Sequence, residues 1–162
     1  FTPEESADMF MRKIIFSTNM EQRLEYFRSQ VCPTEPIEPE TWGDHKTEHM
    51  KCRAGRSSFW ISWDGTMCAC GLMPFPKTFN AFDGKIVEHW LELTEAVRTY
   101  SVMSACAGCK MRTVCKPCVA TVYSESGQTE GRAPYLCALA QCTTERIQNY
   151  LKEHDNEYTR EP

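Results

Sequence analysis

The sequence predicts an α+β fold, in which a small β-hairpin is accompanied by flanking helices and irregular cysteine-rich loops. Apolar residues recur with the 3.6-residue period of a helix in the N-terminal, middle and C-terminal parts of the chain. Alternating apolar residues precede an Asp64-Gly65 pair, which is a strong hairpin signal. Ten cysteines in 162 residues indicate loops organised by metal ions or by disulfides.

Two helices are predicted at the N-terminus. Thr2 is a suitable N-cap, Pro3 occupies the first helical position, and Glu5 completes a capping box. Thr18 and Glu21 form a second capping box, which predicts that another helix begins there. The apolar faces of these helices consist of Ala7, Phe10, Met11, Ile14 and Ile15 in the first and of Leu24, Phe27 and Val31 in the second.

A proline-rich linker is predicted after the second helix. Prolines at positions 33, 36 and 39 remove backbone donors and favour an extended chain, so we place a domain boundary near residue 40. The expected organisation is a helical segment over residues 1–40, a cysteine-rich domain over 41–155 and a polar tail over 156–162.

The hairpin is predicted around the Asp64-Gly65 turn. Phe59, Ile61 and Trp63 alternate before the turn, and Cys68 lies two residues before Cys70 on the returning strand. Successive side chains of a strand point to opposite faces, so these two thiols are expected to share one face. They could bind one metal ion together, or they could be half-buried thiols of the strand.

Two further helices are predicted downstream. Residues 84–102 form an amphipathic pattern, and residues 135–154 form a last helix with a possible break near Thr143. A turn-rich, exposed loop is expected to precede the last helix. The apolar face of the first of these helices consists of Ile86, Trp90, Leu93, Val97 and Tyr100.

Composition and charge exclude several classes of partner. The net charge of −4 provides no basic face for nucleic acid, and no apolar run is long enough to span a bilayer. The chain begins at Phe1 rather than at a methionine, and we expect it to be a piece of a longer polypeptide. No nucleic-acid or membrane partner is therefore predicted.

The cysteines favour metal binding over disulfide formation. Four of them form two C-x2-C pairs, a spacing that suits ligands of one metal centre better than staples between distant segments. A reducing cytoplasm is the expected location. The full set is Cys32, Cys52, Cys68, Cys70, Cys106, Cys109, Cys115, Cys118, Cys137 and Cys142.

The spacing within the densest stretch, CAGCKMRTVCKPC, favours iron–sulfur over zinc. Five residues separate Cys109 from Cys115, whereas zinc ribbons usually place roughly 15–20 residues between their two pairs. Closely spaced cysteines in a loop are typical of ferredoxin-type clusters. Lys110, Arg112 and Lys116 could offset the charge of several thiolates, or they could be ordinary solvated cations.

These cysteines carry a resemblance to a known family. The order Cys52-x12-Gly65-x4-Cys70, followed by the stretch from Cys106 to Cys118 and by Cys137, resembles the seven-cysteine pattern of the SPASM domain. This domain is the C-terminal auxiliary-cluster module of radical-SAM enzymes that modify peptides and proteins. The glycine of the pattern would occupy a turn that requires a positive φ.

The resemblance implies two auxiliary [4Fe–4S] clusters that act in electron transfer and substrate positioning. Two residues rather than the family's three separate the last two cysteines of the dense stretch, and the family's further cysteine before Cys52 is absent here. The fourth ligand of the first cluster is therefore Cys68, His45, His49 or an open position. The implied ligands are Cys52, Cys70 and Cys118 for the first cluster, and Cys106, Cys109, Cys115 and Cys137 for the second.

The resemblance also implies partners and leaves alternatives. The N-terminal helices resemble the end of the partial radical-SAM barrel, which would belong to the same polypeptide and would act on a peptide or protein substrate. The chain has no C-x3-C-x2-C motif, so S-adenosylmethionine would bind only in the missing barrel and the isolated chain would be inactive. The alternative is a zinc-binding structural or protein-interaction module. A thiol–disulfide oxidoreductase is less favoured, because no strand precedes its C-x-x-C pair.

Overall fold

The fold consists of helices and short antiparallel strands, which confirms the predicted α+β class. In the computed structural model the described residues are 1–31, 48–49, 53–102, 106 and 109–158, and only the backbone is described at 48–49, 101–102 and 155–158. The elements in chain order are α1 (Pro3–Ser17), α2 (Met20–Val31), β1 (Glu48–His49), β2 (Trp60–Ile61), β3 (Thr66–Cys70), β4 (Met73–Asn80), α3 (Ile86–Thr99), β5 (Ser101–Val102), α4 (Val119–Ser126) and α5 (Pro134–Tyr158).

The chain divides into two units, and each unit is assembled from separate stretches of sequence. The predicted boundary near residue 40 lies outside the described residues. The helical unit comprises Phe1–Asp44, Gly108–Pro117 and Arg132–Pro162, and the sheet unit comprises His45–Ala107 and Cys118–Gly131.

The helical unit packs α5 against both α1 and α2. The Thr2–Glu5 capping box is confirmed, because the Glu5 N–H donates to Thr2 Oγ1 at 3.2 Å and the Thr2 N–H donates to Glu5 Oε2 at 2.9 Å. The expected apolar faces meet in a core, although Ile14 and Val31 are only partly buried at its edge. The buried core residues are Met11, Leu24, Phe27, Ile147 and Leu151.

The start of α2 differs by one residue from the prediction. Asn19 rather than Thr18 caps the helix, because the Gln22 N–H donates to Asn19 Oδ1 at 2.9 Å and the Asn19 N–H donates to Gln22 Oε1 at 3.3 Å. The Thr18 hydroxyl instead donates to the Ile14 carbonyl at 2.6 Å, so this residue closes α1. The predicted Thr18–Glu21 box is wrong for that reason.

Helix α5 is continuous, so the predicted break near Thr143 is wrong. Thr143 is buried, with 5% of its surface exposed, and the neighbouring Thr144 hydroxyl donates to the Ala140 carbonyl at 2.8 Å. That bond lies within the helix and leaves the main-chain ladder in place. The helix reaches Tyr158, so its backbone enters the predicted polar tail.

Arg23 on α2 forms hydrogen bonds with the end of α1 and with α5. Its guanidinium donates to the carbonyls of Ile15 and Thr18, each at 2.7 Å, and to the Tyr150 hydroxyl at 2.7 Å. The last carbonyls of a helix have no partner within the helix, and a cation there also complements the helix dipole. One side chain thus closes α1 and contacts α5.

The sheet unit contains the predicted hairpin and a third strand. Strands β2, β3 and β4 form an antiparallel sheet in that order, with Trp60 opposite Cys68 and Ile61 opposite Met67. Gly65 has a φ of +84°, which confirms the expected positive φ in the turn. Strand β4 was not predicted, because two prolines interrupt its sequence; it lies at the edge of the sheet, where proline is tolerated.

Helix α3 packs against the sheet with part of its predicted face. Leu93 and Val97 are fully buried, whereas Ile86 at the start of the helix is 40% exposed. Gly55 lies against this face, since a Cβ placed on it would contact the Val97 side chain and the Ala69 Cβ. The prediction of an amphipathic helix is confirmed, but its first turn does not join the core.

The sheet unit also contains a second pair of strands and a short helix. Strand β1 pairs antiparallel with β5, and His49 lies opposite Ser101. Helix α4, which the sequence analysis did not predict, begins after Cys118 and ends at Gly127. None of the helices in the described part of the chain combines the length and the apolar character that a membrane crossing needs.

Candidate metal-binding cysteines

The cysteines that the structure describes are free thiols. None of these eight residues forms a disulfide, and their exposure ranges from buried Cys68 to exposed Cys109, Cys118 and Cys137. Free thiols with access to solvent can lose a proton and bind a metal ion. Cys32 and Cys52 lie outside the described residues.

The described part of the cysteine-dense stretch from Cys109 to Cys115 forms consecutive turns. The Arg112 N–H donates to the Cys109 carbonyl at 3.1 Å, and the Cys115 N–H donates to the Met111 carbonyl at 2.6 Å. The Met111 sulfur accepts a hydrogen bond from the Thr144 hydroxyl at 3.4 Å, which attaches this loop to α5 within the helical unit. These hydrogen bonds define the backbone of the loop between Cys109 and Cys115.

The other cysteines predicted as cluster ligands lie on regular elements or at their ends. Cys118 occupies the N-cap position of α4, and its carbonyl accepts the Val122 N–H at 2.9 Å. Cys137 is exposed in the first turns of α5, and its N–H donates to the Ala133 carbonyl at 2.9 Å. Both sulfurs therefore project from a backbone that the helices hold in place.

Cys68 and Cys70 have different surroundings although they lie on the same strand. The Cys68 thiol is 7% exposed and donates to the Cys70 carbonyl at 3.2 Å, and burial raises the pKa of this thiol. The Cys70 sulfur is half-buried and accepts the Leu72 N–H at 3.4 Å. Burial disfavours the thiolate form of Cys68, whereas the Cys70 sulfur is more accessible and has an N–H donor beside it, so Cys70 suits a metal better than Cys68 does.

The pairing of β3 with β4 is irregular between these two cysteines. Cys68 lies opposite Thr78, whereas Cys70 lies opposite Met73, so β4 contains extra residues at this point. Bulges of this kind re-aim side chains and end regular pairing. The prediction that Cys68 and Cys70 share a face assumed regular strand pairing. The extra residues of β4 interrupt that pairing between the two cysteines.

The predicted ligands belong to both units. Cys109, Cys115 and Cys137 lie in the helical unit, whereas the sheet unit contains the remaining described candidates. Within the described residues, no three or more side chains of Cys, His, Asp or Glu lie close enough together to hold a metal ion. The thiols thus fit a cluster by their chemistry, but the described ones are not assembled as a preformed site. The candidates of the sheet unit are Cys68, Cys70, Cys106 and Cys118, while His45 lies outside the described residues and only the backbone of His49 is described.

A pocket in the helical unit was not predicted. Its volume is about 300 Å³, and Cys115 and Lys116 form part of its wall. The apolar periodicity of α1, α2 and α5 indicated their core faces, but periodicity carries no information about where two faces fail to fill the space between them.

Comparisons with known proteins add no relative. No protein-family model, no curated protein and no solved structure matches this chain. The resemblance to the SPASM domain therefore rests on the spacing of the cysteines and on Gly65.

Proposed function

We propose that this chain is the auxiliary [4Fe–4S] module of a radical-SAM enzyme that modifies a peptide or protein. The observation that carries the proposal is the spacing of seven cysteines and a hairpin glycine over residues 52–137. Two findings support it: the described cysteines are free thiols, and Gly65 has the positive φ expected of the glycine in the pattern. When bound, such clusters supply one-electron transfer.

The residues of the chain would provide ligands and tune their charge. Cys70 already accepts a backbone N–H from Leu72, and hydrogen bonds to sulfur are one means of adjusting a cluster's potential. Lys110 and Lys116 in the dense loop are exposed cations that would offset the charge of nearby thiolates. Cluster binding would also contribute to the folding free energy, because an unfolded chain has no preformed site for the metal.

The expected setting follows from the same chemistry. Thiols that must stay reduced to bind iron are kept so in the cytoplasm, which is the proposed location. The proposed partners are a radical-SAM barrel on the same polypeptide, where S-adenosylmethionine would bind, and a peptide or protein substrate.

Metal analysis after anaerobic reconstitution tests the proposal. We expect about eight iron atoms and about eight sulfides per chain, as two [4Fe–4S] clusters require, with a broad visible absorption that dithionite bleaches. Binding of about one zinc ion per four thiols, with neither iron nor sulfide retained, would favour the alternative of a zinc-binding structural module.

A pair of cysteines on α5 provides a matched test of ligand assignment. Cys137 belongs to the family pattern and is exposed, whereas Cys142 is half-buried on the same helix and lies outside the pattern. Cys137→Ser should lower the iron content by up to about half, since one of two clusters loses a ligand, and Cys142→Ser should leave it unchanged. Equal iron contents in the two variants, with unchanged circular dichroism, would contradict the assignment of Cys137.

A further inference from the structure

The pocket of the helical unit has the size of a small-molecule site. Its volume of about 300 Å³ lies at the lower end of the range known for ligand pockets, roughly 300–1,000 Å³. The pocket lies among α1, α2, α5 and the turns of the dense loop. The hydrogen bond from the Thr144 hydroxyl to the Met111 sulfur holds this loop against α5. Its wall includes Phe10, Tyr26, Lys116, Leu139, Thr143 and Ile147.

The walls of the pocket are mainly apolar and aromatic. The rings of Phe10 and Tyr26 lie 6.5 Å apart and are inclined by 41°, so they form one aromatic wall across α1 and α2. Ile147 is fully buried and Leu139 is half-buried on α5. An aromatic ring or a branched aliphatic group entering here would contact these walls and leave water.

The polar groups of the pocket favour an anion. Lys116 is exposed and is the one charged residue in the described lining, which contains no aspartate or glutamate. Thr143 adds a hydroxyl on a side chain that is 95% buried, since only 5% of its surface is exposed. Ser6, Gln30 and the Cys115 thiol also line the cavity, and with Lys116 as the one cation and no carboxylate among the described lining residues the pocket suits a carboxylate on an apolar body.

We propose that this pocket binds a small carboxylic acid with an aromatic or branched apolar body. The body would lie between the aromatic wall and α5, and the carboxylate would accept hydrogen bonds from the Lys116 ammonium. The proposal concerns a ligand site and goes beyond iron binding: it requires the packing of the helical unit but no metal. Because Cys115, a proposed iron ligand, also lines the pocket, ligand binding is measured before reconstitution and iron content after it, so the failure of one proposal is distinguished from the failure of the other.

Titration with 4-phenylbutyrate tests the proposal, and its amide, 4-phenylbutyramide, is the neutral control of the same shape. The full 162-residue chain is kept reduced, its helices are verified by circular dichroism, and amide chemical shifts are followed by NMR. We expect a Kd on the order of 0.1–1 mM for the acid, about fivefold weaker binding of the amide, and shift changes at residues lining the pocket. Equal affinity for the two compounds, or shift changes located elsewhere, would overturn the proposal.

A pair of lysine variants isolates the charge. Lys116→Gln should weaken binding of the acid about fivefold and leave binding of the amide unchanged. Lys152→Gln, which removes an exposed cation of α5 outside the pocket lining, should change neither affinity. Identical effects of the two variants would exclude Lys116 as the carboxylate partner and overturn the proposal.

A third variant tests the cavity itself. Leu139→Trp should fill the space beside the aromatic wall and abolish binding of both compounds. Retained binding in a folded Leu139→Trp protein would place the ligand outside the pocket. If Leu139→Trp does not fold, the two lysine variants still test ligand binding, because Lys116 is exposed and its side chain does not pack in the core.

Discussion

The helical unit and the sheet unit use their apolar residues differently. In the helical unit, large side chains such as Leu24, Phe27 and Ile147 are fully buried against one another. In the sheet unit, the hairpin leaves Trp60 54% exposed and Trp63 97% exposed. Both units fully bury large side chains, but the helical unit buries the aromatic ring of Phe27, whereas the largest fully buried side chains of the sheet unit are aliphatic or methionine: Met67, Leu93, Val97 and Val122.

The difference indicates two sources of stability. The helical unit depends on burial of large apolar side chains, each of which contributes about 1.5–3 kcal/mol when fully removed from water. The sheet unit combines such burial with a close backbone approach at Gly55, where the φ is +69° and an added Cβ would collide with Val97. Removal of the Phe27 ring, the largest fully buried side chain, should therefore have the largest effect in the helical unit, and added volume at Gly55 should affect the sheet unit.

The largest effect is expected for Phe27→Ala in the helical unit. Phe27 is fully buried and its ring meets the Tyr150 ring edge-on at 5.3 Å, so the variant should lose about 3–5 kcal/mol of unfolding free energy. Phe16→Ala removes an equal side chain that is 88% exposed and should change stability by less than about 0.5 kcal/mol. Urea denaturation followed by circular dichroism measures both. Similar losses in the two variants would break the comparison.

A smaller effect is expected for Gly55→Ala in the sheet unit. The added Cβ would be strained by the positive φ and would also collide with Val97, so we expect a loss of about 2–3 kcal/mol. Gly127→Ala has a φ of +71° but nothing within 4 Å of its new Cβ, so strain alone should cost about 1 kcal/mol. Denaturation followed by tryptophan fluorescence suits this test, since Trp60, Trp63 and Trp90 lie in the sheet unit. Equal costs would mean that the Val97 contact relaxes freely.

The smallest effect concerns pH and the start of α3. The His89 ring hydrogen-bonds to Asp83 at 2.8 Å and the Lys85 N–H donates to Asp83 at 3.0 Å, and these contacts lower the pKa of Asp83 below its ordinary value of 3.8. Because the folded pKa is depressed, the contribution to stability is present above pH 3.8 and is lost as the pH falls below it toward the folded pKa.

Comparison with Asp83→Asn isolates this contribution. The native chain should melt at a higher temperature than the variant near pH 6, and the gap should close as the solution is acidified below pH 3.8. If the difference in melting temperature between the native chain and Asp83→Asn persists at low pH, the charge on Asp83 is not its cause.

Local sequence signals predicted most of the helical unit. Apolar residues at helical spacing and the Thr2–Glu5 pair determine α1 through interactions within a few residues, so both could be read directly. The start of α2 was misplaced by one residue because Thr18 could bond either forward or backward, and the C-terminus of α1 takes its hydroxyl. Such competition between neighbouring helix ends is decided by the folded backbone.

Elements without a clear period were missed. Strand β4 contains Pro74 and Pro76, which argue against a strand unless it lies at a sheet edge, and edge position is a property of the sheet. Helix α4 is eight residues long and follows the cysteine-dense stretch, so its pattern is too short for a reliable period. Neither element could be recognised without its neighbours.

The candidate metal site was predicted as residue types and spacing, not as geometry. Spacing singled out Cys70 and Cys137, but it could not show that Cys70 accepts an N–H from Leu72 or that burial raises the pKa of Cys68. It also could not indicate the pocket beside Cys115, which arises where three helices and a loop leave space. Distances between residues remote in sequence are set by packing.

The amino-acid sequence alone determined the secondary structure that depends on near neighbours: capped amphipathic helices, a hairpin with glycine in its turn, and a serial array of thiols. These features follow from backbone sterics, hydrogen bonds and side-chain periodicity over a few residues. Only the tertiary structure decided which stretches join each unit, which thiols are buried, and where a cavity remains. Those outcomes depend on contacts between distant segments, whose free energy is a sum over the whole packed unit.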